Sequence, residues 1–171
     1  MKCALLPFLM FLLCLQLGCG AARTEPTPEA RKKGVVDSGV TLLASSWLQD
    51  GIGEIDKDAA LEFQTTDSGL QYRILRGSDG QKPGMSDRVM VHYRGWLDNG
   101  REFDASYGGP PTSFGLSDVV VGWREGLQLV GVGGMIELWI PSESGYGKRG
   151  MGNAIPPDSA LHFVVELLRV N

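Results

Sequence analysis

Residues 67–171 predict an α+β domain in which an antiparallel β-sheet curls around one short helix. Three observations lead there. Apolar residues recur with period two in segment after segment, a single segment switches to a helical period, and glycine is concentrated after residue 68, where closely spaced turns need it. The rest of the 171-residue chain reads as a leader over residues 1–22 and a linker with a short, partly helical segment over residues 23–66.

The domain begins after Asp67-Ser68-Gly69, with the loosely alternating Leu70–Arg76 as its first strand. Val89, Val91 and Tyr93 then alternate cleanly with Met90, His92 and Arg94, which predicts a second strand. Asp98-Asn99-Gly100 is a turn signal that sends the chain back through Arg101-Glu102-Phe103. Trp123, Leu127 and Val130 fall on one stripe of a short helix, with Gly131 placed to stop it. Ile136, Leu138 and Ile140 share one face of a further strand, and Leu161, Phe163, Val165 and Leu167 share one face of the last. Such alternation predicts antiparallel pairing with one solvated side, and one short helix could not cover a long parallel sheet.

Upstream, Lys2 is followed by an apolar run from Ala4 to Leu17 that is interrupted by Pro7 and falls short of the roughly 20 apolar residues a bilayer span requires. It reads as a signal peptide. Two exits are open. Leu17-Gly18-Cys19-Gly20 resembles a bacterial lipobox, which would make Cys19 the lipidated new N-terminus, although Gln16 stands where that pattern has leucine. Ordinary cleavage after Ala22, with Gly20-Ala21-Ala22 supplying small residues, is the other. From Arg23 to Lys33 the chain is charged and punctuated by Pro26 and Pro28, as a tether would be. Leu42, Leu43, Trp47 and Leu48 hint at one short helical segment and Asp56–Phe63 at a second, with Gly51 and Gly53 interrupting them.

Composition narrows the function classes. With 43% hydrophobic and 21% charged residues the chain is an ordinary globular protein. Cys3, Cys14 and Cys19 all lie in the leader, which excludes disulfides and thiol catalysis from the mature domain. A formal net charge of −4, with no basic run, argues against a nucleic-acid partner. The only histidines, His92 and His162, sit on strands away from clustered carboxylates or thiols and read as strand-surface residues, which argues against a metal centre or a Ser/His/Asp triad. Gly145-Tyr146-Gly147-Lys148-Arg149-Gly150 has the spacing of a dinucleotide fingerprint. Ile155-Pro156-Pro157 follows where that site needs a helix, so the match is rejected.

Four spaced motifs remain. They are Val91-His92-Tyr93-Arg94-Gly95-Trp96-Leu97-Asp98-Asn99-Gly100-Arg101-Glu102-Phe103-Asp104, then Gly122-Trp123-Arg124-Glu125-Gly126-Leu127, then Tyr146-Gly147, then Ile155-Pro156-Pro157 with Leu161, Phe163 and Val165-Glu166-Leu167-Leu168. In this order they resemble the catalytic domain of FKBP-type peptidyl-prolyl cis/trans isomerases over residues 67–171. Ser68-Gly69-Leu70-Gln71-Tyr72 and the exported leader resemble the macrophage-infectivity-potentiator branch of that family.

The resemblance implies an FKBP-like fold and an enzyme that rotates X-Pro amides without a cofactor. Trp123 would be the floor under the prolyl ring, and Tyr93, Phe103, Val119, Val120, Ile155 and Phe163 its walls. Tyr146 would donate its hydroxyl to one substrate carbonyl and the Val120 backbone N–H to another, while Asp104 would orient the polar end. Thr112, Met151 and the Tyr107-Gly108-Gly109-Pro110 segment depart from the common pattern at the pocket rim, which bears on ligand affinity and substrate preference. The implied partners are proline-containing polypeptides and macrolides such as rapamycin. The expected protein is a monomer in the periplasm or at the outer membrane of a bacterium, touching the membrane only through a lipid on Cys19.

Overall fold

The structure, a computed structural model, describes residues 52–171. The readings of the leader, of Cys19, of the tether and of the segment around Trp47 lie outside the described residues. Seven strands form one antiparallel sheet: β1 Gln64–Thr65, β2 Gln71–Arg76, β3 Arg88–Leu97, β4 Glu102–Ala105, β5 Thr112–Gly115, β6 Met135–Ile140 and β7 Leu161–Val170. Their spatial order is β1-β2-β6-β7-β3-β4, with β5 pairing the other end of β3. Helix α1, Val121–Leu127, lies against the front face.

The alternation read from the sequence faces this front. Val89, Val91 and Tyr93 of β3, Ile136, Leu138 and Ile140 of β6, and Leu161, Phe163, Val165 and Leu167 of β7 are all buried there with Trp123, Leu127 and Val130. Each large aliphatic side chain so buried contributes roughly 1.5–3 kcal/mol of transfer free energy, so this single cluster is the main source of stability. The turn at Asp98-Asn99-Gly100 forms with the Gly100 N–H donating to the Leu97 carbonyl, and Gly100 takes a φ of 79° that glycine accepts at low cost.

Three expectations are corrected. The back of the sheet is not solvated: Leu75, Trp96, Met135 and Val164 are buried against Ile52, Ile55 and Phe63 from the preceding segment. Asp56–Phe63 is not helical but runs as turns and irregular backbone across that face. It is tied there by the Asp56 N–H to the Leu75 carbonyl (2.9 Å), the Gly77 N–H to an Asp56 carboxylate oxygen (2.8 Å), and Arg76 Nη1 to the Glu54 carbonyl (2.9 Å). Nor is His162 a strand-surface residue. It is 3% exposed, sandwiched between Trp96 and Trp139 at ring separations of 5.2 and 5.1 Å, with Nε2 2.7 Å from Glu137. Glu137 in turn accepts from Arg73 Nε at 2.5 Å, and both are fully buried. Burying such charges is tolerable only because each has a hydrogen-bonded partner.

Candidate active site

The site forms where α1 approaches the concave front of the sheet. Gly126 allows this approach, since a Cβ there would sit 2.5 Å from a Leu138 methyl. Trp123, two residues into α1, is thereby laid into the sheet's concavity, 4% exposed. Three rings meet it edge to face, Tyr93 at 5.3 Å, Phe114 at 5.6 Å and Phe163 at 5.2 Å between centroids, and Phe103 braces Phe163 at 5.4 Å. Edge-to-face pairs place the positive ring edge on the negative ring face and are worth about 0.5–1.5 kcal/mol each beyond area, so the indole is fixed from several sides.

These rings line a cavity of about 230 Å³, room for a group of side-chain size. Of the nine residues expected at the site, eight line it: Tyr93, Phe103, Asp104, Val119, Val120, Trp123, Tyr146 and Phe163. Ile155 does not. It is 1% exposed within the core behind the cavity, and its carbonyl accepts from the Met151 N–H at 2.8 Å. Phe114, Asp118 and Met151 complete the lining and were not among the expected wall residues. Phe114 escapes a sequence reading because it lies on β5, a four-residue strand whose polar neighbours Thr112 and Ser113 give almost no alternation. Its register opposite Val89, two strand positions from the Val91–Thr112 pair, delivers the ring to the cavity.

One polar edge interrupts the apolar lining. The Tyr93 hydroxyl donates to Asp104 at 2.7 Å, and burial, the hydrogen bond and the carboxylate's charge all push its pKa up. Tyr146, between short 3₁₀ turns at Ser142–Ser144 and Gly147–Arg149, also has its pKa raised, first by burial and then by Asp104. Among the described residues the Tyr146 hydroxyl has no side-chain or backbone acceptor within hydrogen-bonding distance. The site therefore offers a largely aromatic cup with the protonated Tyr146 hydroxyl available as a donor. It holds no nucleophile poised beside a base among the described residues.

Comparison with known proteins agrees with this geometry. The family model described as FKBP-type peptidyl-prolyl cis-trans isomerase matches residues 79–168. The FKBP-type 22 kDa peptidyl-prolyl cis-trans isomerase of Escherichia coli is 44% identical over 123 residues, covering 71% of this chain and 60% of that protein. The peptidyl-prolyl cis-trans isomerase Mip of Coxiella burnetii is 41% identical over 108 residues, covering 63% and 47%. Among solved structures, FkpA from Escherichia coli superposes with a TM-score of 0.62 at 47% identity, covering 64% of this chain and 51% of that one. The chain thus spans between 40% and 60% of the length of these and the other curated FkpA relatives from Escherichia coli.

Proposed function

The chain belongs to the FKBP-type peptidyl-prolyl cis-trans isomerase family, and from that premise we propose that it accelerates X-Pro isomerisation in exported proteins by non-covalent stabilisation of the twisted amide. The observation that carries this reading is the Trp123-floored cavity with the available Tyr146 hydroxyl at its edge.

An amide resists rotation because resonance gives its C–N bond double-bond character, with a barrier of roughly 18–20 kcal/mol. The planar form is charge-separated and well solvated by water, whereas the twisted form has lost that conjugation. A dry apolar cup therefore favours the twisted form relative to the planar one. Trp123 supports the prolyl ring, Phe103, Phe163 and Tyr93 exclude water around it, and Tyr146 and the Val120 N–H hold the flanking carbonyls. Asp104, itself held by Tyr93, orients the polar edge. Uncatalysed isomerisation takes tens to hundreds of seconds. Turnover on the order of 10²–10³ per second asks for about 5–7 kcal/mol of differential stabilisation, which positioning and polarity can supply without a covalent intermediate. No cofactor enters this scheme.

The substrates are proline-containing polypeptides, and macrolides such as rapamycin would compete for the same cup. The exported leader supports action in the bacterial periplasm or at the outer membrane, where chains arrive unfolded, within a branch like that of the macrophage infectivity potentiators. Leu17-Gly18-Cys19-Gly20 supports a lipid on Cys19, and cleavage after Ala22 is the alternative. The mass of the mature N-terminus distinguishes the two. A short, glycine-broken segment before the domain supports a monomer on a tether. The activity itself is tested with a protease-coupled proline-isomerisation assay on the chain from Arg23 onward. Folded protein that leaves the slow phase unchanged would refute the enzyme reading.

A further inference from the structure

Segment Leu116–Val120 forms one wall of the cavity, contributing Asp118, Val119 and Val120 to the lining, and carries the backbone N–H assigned above to the substrate. It is an irregular stretch: a 3₁₀ turn at Leu116–Asp118, then extended backbone at Val119 (φ −94°, ψ 166°) and Val120 (φ −58°, ψ 154°) before α1 begins. Irregular backbone of this kind has no ladder to hold it. Its start is tied by the Leu116 N–H donating to the Asp87 carbonyl (2.9 Å), and Arg124, next to the floor residue Trp123, holds the remainder. Its Nη2 donates to the Ser117 carbonyl and to the Val119 carbonyl, each at 3.2 Å.

The second of those contacts has a direct geometric consequence. The Val119–Val120 peptide is trans, so its C=O and N–H point in opposite directions across one plane. Turning the Val119 carbonyl toward Arg124 turns the Val120 N–H away from it, on the opposite side of the segment. Val120 is also the residue that caps α1, so its N–H has no partner within the helix and is left for another acceptor. The guanidinium is committed to this task. Among the described residues no carboxylate lies within ion-pairing distance of it, and its Nε is buried without a partner.

We propose that Arg124 is a positioning residue for the isomerase reaction, fixing the Val119–Val120 peptide plane so that the Val120 N–H is presented to the substrate carbonyl. This rests on the function proposed above and adds a residue outside the cavity to it. A donor held in place before the substrate arrives need not be ordered on binding, which is the benefit a rigid site has over a loose one. Lysine cannot reproduce the effect fully, because a point charge on a flexible stem does not span two carbonyls as a planar fork does.

The test compares wild type, Arg124→Met and Arg124→Lys in the isomerisation assay, with nitrogen-15 relaxation of the Val120 amide and thermal melting measured on the same samples. The expected result for Arg124→Met is a fall in kcat/KM of about tenfold, carried mostly by KM because the donor serves planar and twisted amide alike. The Val120 order parameter should drop from the rigid range near ~0.85 toward ~0.6, and Arg124→Lys should recover part of both. If Arg124→Met does not fold, Arg124→Lys must show the same two changes in smaller degree. Wild-type kcat/KM in a folded variant would overturn the inference and leave the proposed function intact, as would a loss of activity with an unchanged Val120 order parameter. An inactive wild type would overturn both.

Discussion

The hydroxyl of Tyr146 carries the sharpest consequence at the scale of single residues. It lines the cavity, has no internal acceptor among the described residues, and stays protonated because burial and the charge of Asp104 raise its pKa. Tyr146→Phe removes one neutral hydrogen bond, worth about 0.5–1.5 kcal/mol, and leaves the ring's packing in place. The expected outcome is a drop in kcat/KM of several-fold to about tenfold with little change in unfolding midpoint; an unchanged kcat/KM would remove Tyr146 from the reaction. The same pKa shifts bear on stability. Tyr93, Tyr107 and Tyr146 are all raised by burial first, with Asp104 contributing at Tyr93 and Tyr146 and Glu166 at Tyr107. A phenol whose folded pKa exceeds its unfolded value near 10 stabilises the fold fully below that pH and ceases to do so as pH climbs through the folded value. Urea midpoints should therefore be insensitive to these groups between about pH 7 and 9 and should fall steeply above about pH 10. Equal midpoints at pH 8 and pH 11 would contradict the burial described here.

At the scale of elements, the approach of α1 to β6 decides whether Trp123 reaches the cavity floor. Gly126→Ala gains about 1 kcal/mol of helix propensity but places a methyl 2.5 Å from the fully buried Leu138 side chain. Overpacking of that kind costs about 1–3 kcal/mol, and Leu138 is held between Tyr72 of β2 and Phe163 of β7, so the steric term should win. The expected result is a net destabilisation with weakened isomerase activity, seen together in urea titration and in the assay; a more stable, fully active variant would show that the helix has slack. Element by element, the sequence was informative where burial is one-sided. Val89, Val91 and Tyr93 alternate with polar residues and so announced β3, and Trp123, Leu127 and Val130 announced α1. It was uninformative where an element is short or polar. β1 has two residues and β5 four, and their place comes from pairing with β2 and β3 rather than from their own pattern. Ile155 shows the limit for the site: a motif position places a residue near a cavity, while the direction of its side chain is settled by packing, here into the core.

Residues 52–171 form a sheet covered on both sides, and the covering of the back face is the part the sequence concealed. His162, read from the sequence as a strand-surface residue, and Glu137 sit at alternating positions that would be solvated on a bare sheet. They are buried because they satisfy one another and Arg73, whose guanidinium also donates to the Leu61 carbonyl and lies over the Phe63 ring at 4.8 Å. No spacing rule finds a partner that is 64 residues away, as Glu137 is from Arg73. Glu137→Leu should therefore cost about 3–5 kcal/mol by stranding a buried cation, whereas Arg73→Leu with Glu137→Leu should recover much of that loss. Urea unfolding of both variants checks this, and a single variant as stable as wild type would mean that the ionic network contributes nothing.

Among the described residues three indoles are distributed over that doubly covered sheet, Trp123 in the front cavity and Trp96 and Trp139 stacked on an imidazole behind it. Because an indole's emission depends on its immediate surroundings, the protein carries its own optical reporters on opposite sides of one sheet. Light from Trp123 should respond when the cup is filled, while light from Trp96 should change when residues 52–63 peel away, so occupancy and local opening could be followed without an added dye.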